Sequence, residues 1–144
     1  MKKGFTLVEY LVTFGIIILI VGIISITFIR RASTGQIMQT AAQQIATDLR
    51  YASELAVATQ IRHVVRFNPA VGHYTLVALE MPERMVKEVL LDPTIELSSI
   101  TLSSNMAEFN SVGAVSTAGL ITIRHQDGTT RTINIRPSGY VRIE

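Results

Sequence analysis

Apolar residues run almost without a break from Phe5 to Ile29, interrupted by the single charge of Glu9, preceded by Lys2-Lys3 and closed by Arg30-Arg31. At ~1.5 Å of rise per residue, a helix of that length exceeds a hydrocarbon core of ~30 Å, so the pattern predicts a tilted transmembrane helix over residues 5–29. Ala32-Ser33-Thr34-Gly35 is a weak spot in the helical pattern. Met38, Ala42, Ile45, Leu49, Ala52, Ala56 and Thr59 then recur at separations of three and four, with Gln39, Gln43, Thr47, Arg50, Ser53 and Glu54 mostly on other faces. This predicts an amphipathic helix over residues 30–60, continuing the first as a rod of roughly 80 Å.

From Ile61 the period shortens and β-branched residues dominate, with turns at Asn68-Pro69, Val71-Gly72, Asp92-Pro93, Asp127-Gly128 and Pro137-Ser138-Gly139. One hairpin is predicted from 63–67 to 74–77 and a second from 120–125 to 130–136. Ile121 and Ile123 share one strand face, as do Ile133 and Ile135, and these faces coincide only if the loop holds an odd number of residues. A three-residue loop, Gln126-Asp127-Gly128, places Gly128 where a left-handed backbone is needed and pairs Ile121 with Ile133. A last strand is expected from Gly139 to Ile143. The sum is an α+β chain: a long N-terminal helix, transmembrane in its first half and amphipathic in its second, packed on an antiparallel sheet formed by residues 61–144.

A length of 144 residues leaves room beyond Arg31 for one domain of roughly 100 residues. The absence of Cys removes disulfides, thiol catalysis and Cys-ligated zinc. The formal charge is +2, but acids outnumber bases from Glu80 to Glu108, whereas Arg124, Arg131, Arg136 and Arg142 make the C-terminal stretch basic. Such a dipolar surface suits contact with a complementary face or a polyanion, and solvated strands produce it as well. His63, His73 and His125 lack the spacing of a metal-binding or catalytic motif, and no phosphate-cradling glycine loop is present. No catalytic residue, metal site or cofactor is expected.

Glu9 is the residue that most needs an explanation. A carboxylate in an apolar span costs a few kcal/mol unless a cation meets it, and a new α-amine at Phe5 would lie one helical turn away. An ordinary secretory signal ends in small residues, which Ile29-Arg30-Arg31 does not supply, and a generic single-pass anchor leaves the position of Glu9 unexplained. Gly4, Phe5 and Glu9, joined to the following span, resemble the type IV pilin and pseudopilin superfamily. The resemblance implies a leader of residues 1–4 that prepilin peptidase removes between Gly4 and Phe5, N-methylation of Phe5, and pairing of Glu9 with the amine of a neighbouring subunit during assembly. It also implies a start in inner-membrane lipid, single-pass with the N-terminus in the bacterial cytoplasm and the β domain outside, and then a place among other subunits in a pilus or pseudopilus. Lys2-Lys3 and Arg30-Arg31 balance each other, so charge alone does not orient the span.

Ile45, Leu49, Ala52 and Ala56, followed by Val64, Val65, Phe67, Gly72 and Tyr74, resemble more narrowly the H-type minor pseudopilins and fimbrial minor pilins of the GspH/FimT family. Gly119 to Ile123 and Gly139 to Arg142 are similar to that family's closing hairpin and strand. Ser53 stands where the family often has Arg, and Ile26 near a common Pro, which leaves Gly22 and Gly35 as hinge positions. The resemblance implies a structural role in filament initiation or at the tip, in a secretion pseudopilus or a pilus. FimT-like members capture DNA, which makes Arg124, Arg131, Arg136 and Arg142 candidates for contact with double-stranded DNA, although strand parity sets Arg131 with Ile133 and opposite Arg136.

Overall fold

The computed structural model describes residues 7–144, with the side chains of residues 23–33 excepted. Helix α1 (Leu7–Thr59) is followed by β1 (His63–Asn68), β2 (His73–Ala78), β3 (Arg84–Leu90), β4 (Ile95–Ile100), a short 3-10 turn (Ser103–Asn105), β5 (Met106–Phe109), β6 (Gly119–His125), β7 (Thr130–Ile135) and β8 (Val141–Ile143). The chain divides into two compact units, one ending at Gly35 and the other comprising Gln36–Glu144. Gly22 and Gly35, expected as hinges, both fall within α1.

Among the described residues no helix is long and apolar enough to cross a membrane. This corrects the transmembrane half expected at residues 5–29, and with it the single-pass placement in the inner membrane. Within the described span Glu9 sets a carboxylate in the first turn of α1, among the apolar side chains that would have to enter lipid.

The unit Gln36–Glu144 is organised by the stripe that sequence periodicity picked out. Met38, Ala42, Ile45, Leu49, Ala52 and Ala56 are fully buried, joined by Ala41 and Ala46, while Thr59 lies beyond the core and is exposed. Small side chains at so many stripe positions let backbone approach α1 closely. Two four-stranded antiparallel sheets, rather than the one expected, share this core: β3-β2-β1-β5 and β4-β6-β7-β8. Strand β1 contributes Val65 and Phe67, β2 contributes Tyr74 and Leu76, and β6 and β7 contribute Ile121, Ile123, Ile133 and Ile135.

The predicted hairpins form. Phe67 pairs with Tyr74 across β1 and β2, and Ile121 pairs with Ile133 across β6 and β7. The β6–β7 loop has three residues: the His125 N–H donates to the Thr129 carbonyl, the Gly128 N–H to the His125 carbonyl, and Gly128 has φ +89°. Backbone and then hydroxyl hydrogen bonds from Thr129, with His125 adding to them, hold the Asp127 carboxyl at about 2. The β7–β8 loop, Pro137-Ser138-Gly139, repeats the device with Gly139 at φ +80°. Both loops are odd in length, so buried residues of β6, β7 and β8 line up on one face.

Two polar contacts tie α1 to the end of this sheet and to the β5–β6 loop that lies against Gly139. The Ser53 hydroxyl donates to the Gly113 carbonyl at 2.9 Å, and Arg50 donates to the Val141 carbonyl at 2.8 Å. On either side of β8, Tyr140 and Glu144 carry bonds to the β7 side, so by alternation the Val141 carbonyl is directed to the open edge, where Arg50 meets it. A Cβ at Gly139 would lie 2.0 Å from the Gly113 carbonyl oxygen. Gly139→Ala therefore combines a left-handed backbone with a backbone clash and is expected to cost more than about 2 kcal/mol in chemical denaturation. Gly128→Ala, with open space around its Cβ position, should cost only the conformational part, about 1 kcal/mol.

A buried carboxylate joins α1 to the other sheet. Asp48 accepts a hydrogen bond from the Tyr74 hydroxyl at 2.6 Å and from Lys87 Nζ at 2.6 Å. Lys87 remains half-exposed, so the pair is only partly withdrawn from water. Asp48→Ala strands the phenol in the core and should cost about 3 kcal/mol, at the low end for breaking a buried pair. Burial, and then Asp48, push the Tyr74 hydroxyl well above its ordinary value. A raised folded value stabilises fully below the unfolded tyrosine's ~10 and is lost as pH climbs past it. The stability difference between wild type and Tyr74→Phe should accordingly be constant through neutrality and narrow above about pH 10, as read from urea melts across pH.

Candidate functional site

The outer face of the second sheet carries most of the arginines expected to matter. Strand alternation and register put Leu120, Thr122 and Arg124 of β6 on that face, beside Asn134 of β7 and Arg142 of β8. Arg136 lies opposite Tyr140, its N–H donating to the Tyr140 carbonyl at 2.9 Å, so both continue the same face. The guanidinium of Arg136 stands 5.8 Å from the centroid of the Tyr140 ring. Arg136, Ser138, Tyr140 and Arg142 line an open hollow of about 530 Å³.

The four candidate arginines do not form one patch. Arg124 sits at the other end of the face and donates through Nε to Glu96 at 2.6 Å. Arg131 is opposite Ile123 in the register and has the parity of Ile133. Only Arg136 and Arg142 come together. Their setting differs from that of five other cations of this unit. Arg62, Arg66, Arg84, Lys87 and Arg124 each meet a carboxylate, on Glu108, Glu83, Glu80, Asp48 and Glu96 in turn. Arg136 and Arg142 have no carboxylate within ion-pair distance among the described residues. Tight hydrogen bonding with Glu83 raises Arg66 and, reciprocally, lowers Glu83, so much of the acidic excess between Glu80 and Glu108 is spent on arginines of the same chain.

At the other end of the chain, Glu9 occupies the first turn of α1, where the helix dipole favours a negative charge. Around it Leu7, Val8, Tyr10, Leu11, Val12, Phe14 and Ile16 to Val21 are all at least half-exposed, on every side of the helix. Gly4 and Phe5, the expected cleavage and methylation positions, lie outside the described residues. Among the described residues no cluster of His, Asp or Glu is placed to hold a metal ion.

Sequence reasoning missed Asp48, Lys87 and the structural use of Ser53. Asp48 could have been found, because it falls three residues after Ile45 and four before Ala52 and thus on the apolar stripe. Lys87 carried no comparable signal, since its contact depends on a strand that periodicity did not reveal.

No protein-family model and no curated protein matches the sequence. Solved structures do match the fold. The minor pseudopilin EpsH of the type 2 secretion system of Vibrio cholerae is 16% identical, with a TM-score of 0.65 over 74% of this chain and 95% of that one. The type IV minor pilin FimU of Pseudomonas aeruginosa is 17% identical, with a TM-score of 0.59 over 74% of this chain and 87% of that one. The chain therefore has the pilin-like fold of minor pseudopilins and minor pilins.

Proposed function

We propose that this chain is a minor pilin or pseudopilin, a non-catalytic structural subunit of a type IV pilus or a type II secretion pseudopilus that acts in filament initiation or at the tip. The observation that carries the proposal is the exposed apolar surface on all sides of α1 from Leu7 to Val21. A helix that is apolar all round is a buried helix in its working state. A filament core made from the equivalent helices of other subunits would bury it, at about 1.5–3 kcal/mol for each large side chain covered.

Glu9 then has a specific role. Prepilin peptidase cleaves between Gly4 and Phe5, the amine of Phe5 is methylated, and the Glu9 carboxylate meets the amine of an adjoining subunit as both enter the core. Desolvating either charge alone would be far costlier than desolvating the pair. Glu9→Ala should leave the β-rich unit folded, with an unchanged melting curve, yet abolish recovery of the subunit in sheared filaments. Wild-type recovery of that variant would count against the role. Intact-mass analysis of subunits taken from filaments should show loss of residues 1–4 and one added methyl group. A chain still starting at Met1 would contradict the processing step.

A further inference from the structure

Among the described residues, charges without an intrachain ion-pair partner stand on the outer faces of both sheets. On the outer face of the second sheet they are Arg136 and Arg142, set beside exposed Tyr140 and Leu120, while unpaired Arg131 has the other strand parity. On the first sheet the exposed carboxylate without a cation within ion-pair distance, among the described residues, is Glu88 of β3. Glu88 is opposite Thr75 and alternates with Val89, which points into the core, so it projects from the sheet's outer face. Its neighbours there are Leu90, 70% exposed, and Met85, 60% exposed. Each face thus pairs uncompensated charge with bare apolar surface, and the signs are opposite.

We propose that these faces dock on one another between copies of this chain, β3 of one subunit presenting Glu88 to the hollow formed by Arg136, Ser138, Tyr140 and Arg142 of the next. The inference rests on the filament reading and names a contact within it, between copies of this chain that lie together where the filament starts or at its tip. Two guanidiniums and a phenol converging on one hollow suit a carboxylate, and Leu90 gives the Tyr140 ring an apolar partner. Because donor and acceptor patches are different surfaces of one unit, the contact is heterologous and leaves an unfilled patch at each end. A duplex is a poorer occupant. It needs a row of phosphate contacts, whereas Arg124 is held by Glu96, Arg131 has the other parity, and Glu144 ends the strand that bears Arg142.

The chain has no Cys, so introduced thiols report proximity without background. Full-length Leu90→Cys and Ser138→Cys chains are mixed and oxidised, and the disulfide-linked heterodimer is quantified. Cross-linking is expected between these positions and should fall about tenfold or more when the Leu90→Cys chain also carries Glu88→Arg, because like charges then face each other. Adding Arg136→Glu and Arg142→Glu to the Ser138→Cys chain should restore it. A cross-link absent from the mixture, or indifferent to both charge reversals, overturns the proposal. So does loss of the cross-link together with salt-sensitive binding of a fluorescent DNA duplex at Arg136 and Arg142, which would assign the hollow to a polyanion. Filament incorporation of Glu88→Arg is scored in parallel. Filaments that form normally while the cross-link fails would sink this contact and leave the filament reading standing.

Discussion

The fold of the larger unit depends on how closely backbone can approach one face of α1. Alanines at 41, 42, 46, 52 and 56 keep that face low, so strands from both sheets reach a single core with Met38, Ile45 and Leu49 as its bulk. Larger residues at the alanine positions would hold the sheets away and open voids beside the isoleucines of β6 and β7. The hydrophobic effect supplies the attraction, but the low relief of the stripe makes one core of two sheets possible.

Polar contacts then fix how the sheets sit on the stripe. Asp48 reaches one sheet through Tyr74 and Lys87, Arg50 reaches the other through the Val141 carbonyl, and Ser53 holds the β5–β6 loop through the Gly113 carbonyl. Each is a directional bond superimposed on non-directional burial, and the three residues fall within two turns of helix. A glycine with positive φ stands at the tightest point, where Gly139 and Gly113 leave no room for a side chain. The hollow at Arg136 and Arg142 belongs to the hairpin so held, and its geometry is inherited from α1.

What could be read from sequence followed from periodicity and parity. The stripe from Met38 to Ala56, the pairing of Ile121 with Ile133 and the left-handed Gly128 all follow from spacing, since side-chain period and loop length leave few alternatives. Strands β3, β4 and β5 were not foreseen. Arg84 to Leu90 mixes charges with apolar residues because it is an exposed edge strand, so no face of it reads as buried. β4 carries a register shift between Leu97 and Ser99 that breaks its alternation, and β5 has only four residues. The split into two sheets was illegible for the same reason, since it depends on where those unread strands pair. At the candidate site, proximity in sequence suggested four arginines as a group. Strand parity already set Arg131 apart from Arg136, whereas the acid from a distant strand that claims Arg124 left no trace in the spacing.

Arg50 has a consequence beyond anchoring. β8 is an edge, and a strand of three residues with open carbonyls is a template on which any extended segment could be copied. The guanidinium occupies the first outward acceptor of that template, the Val141 carbonyl, and the charge it brings deters an incoming backbone. The unit is thereby protected from runaway sheet growth along β8.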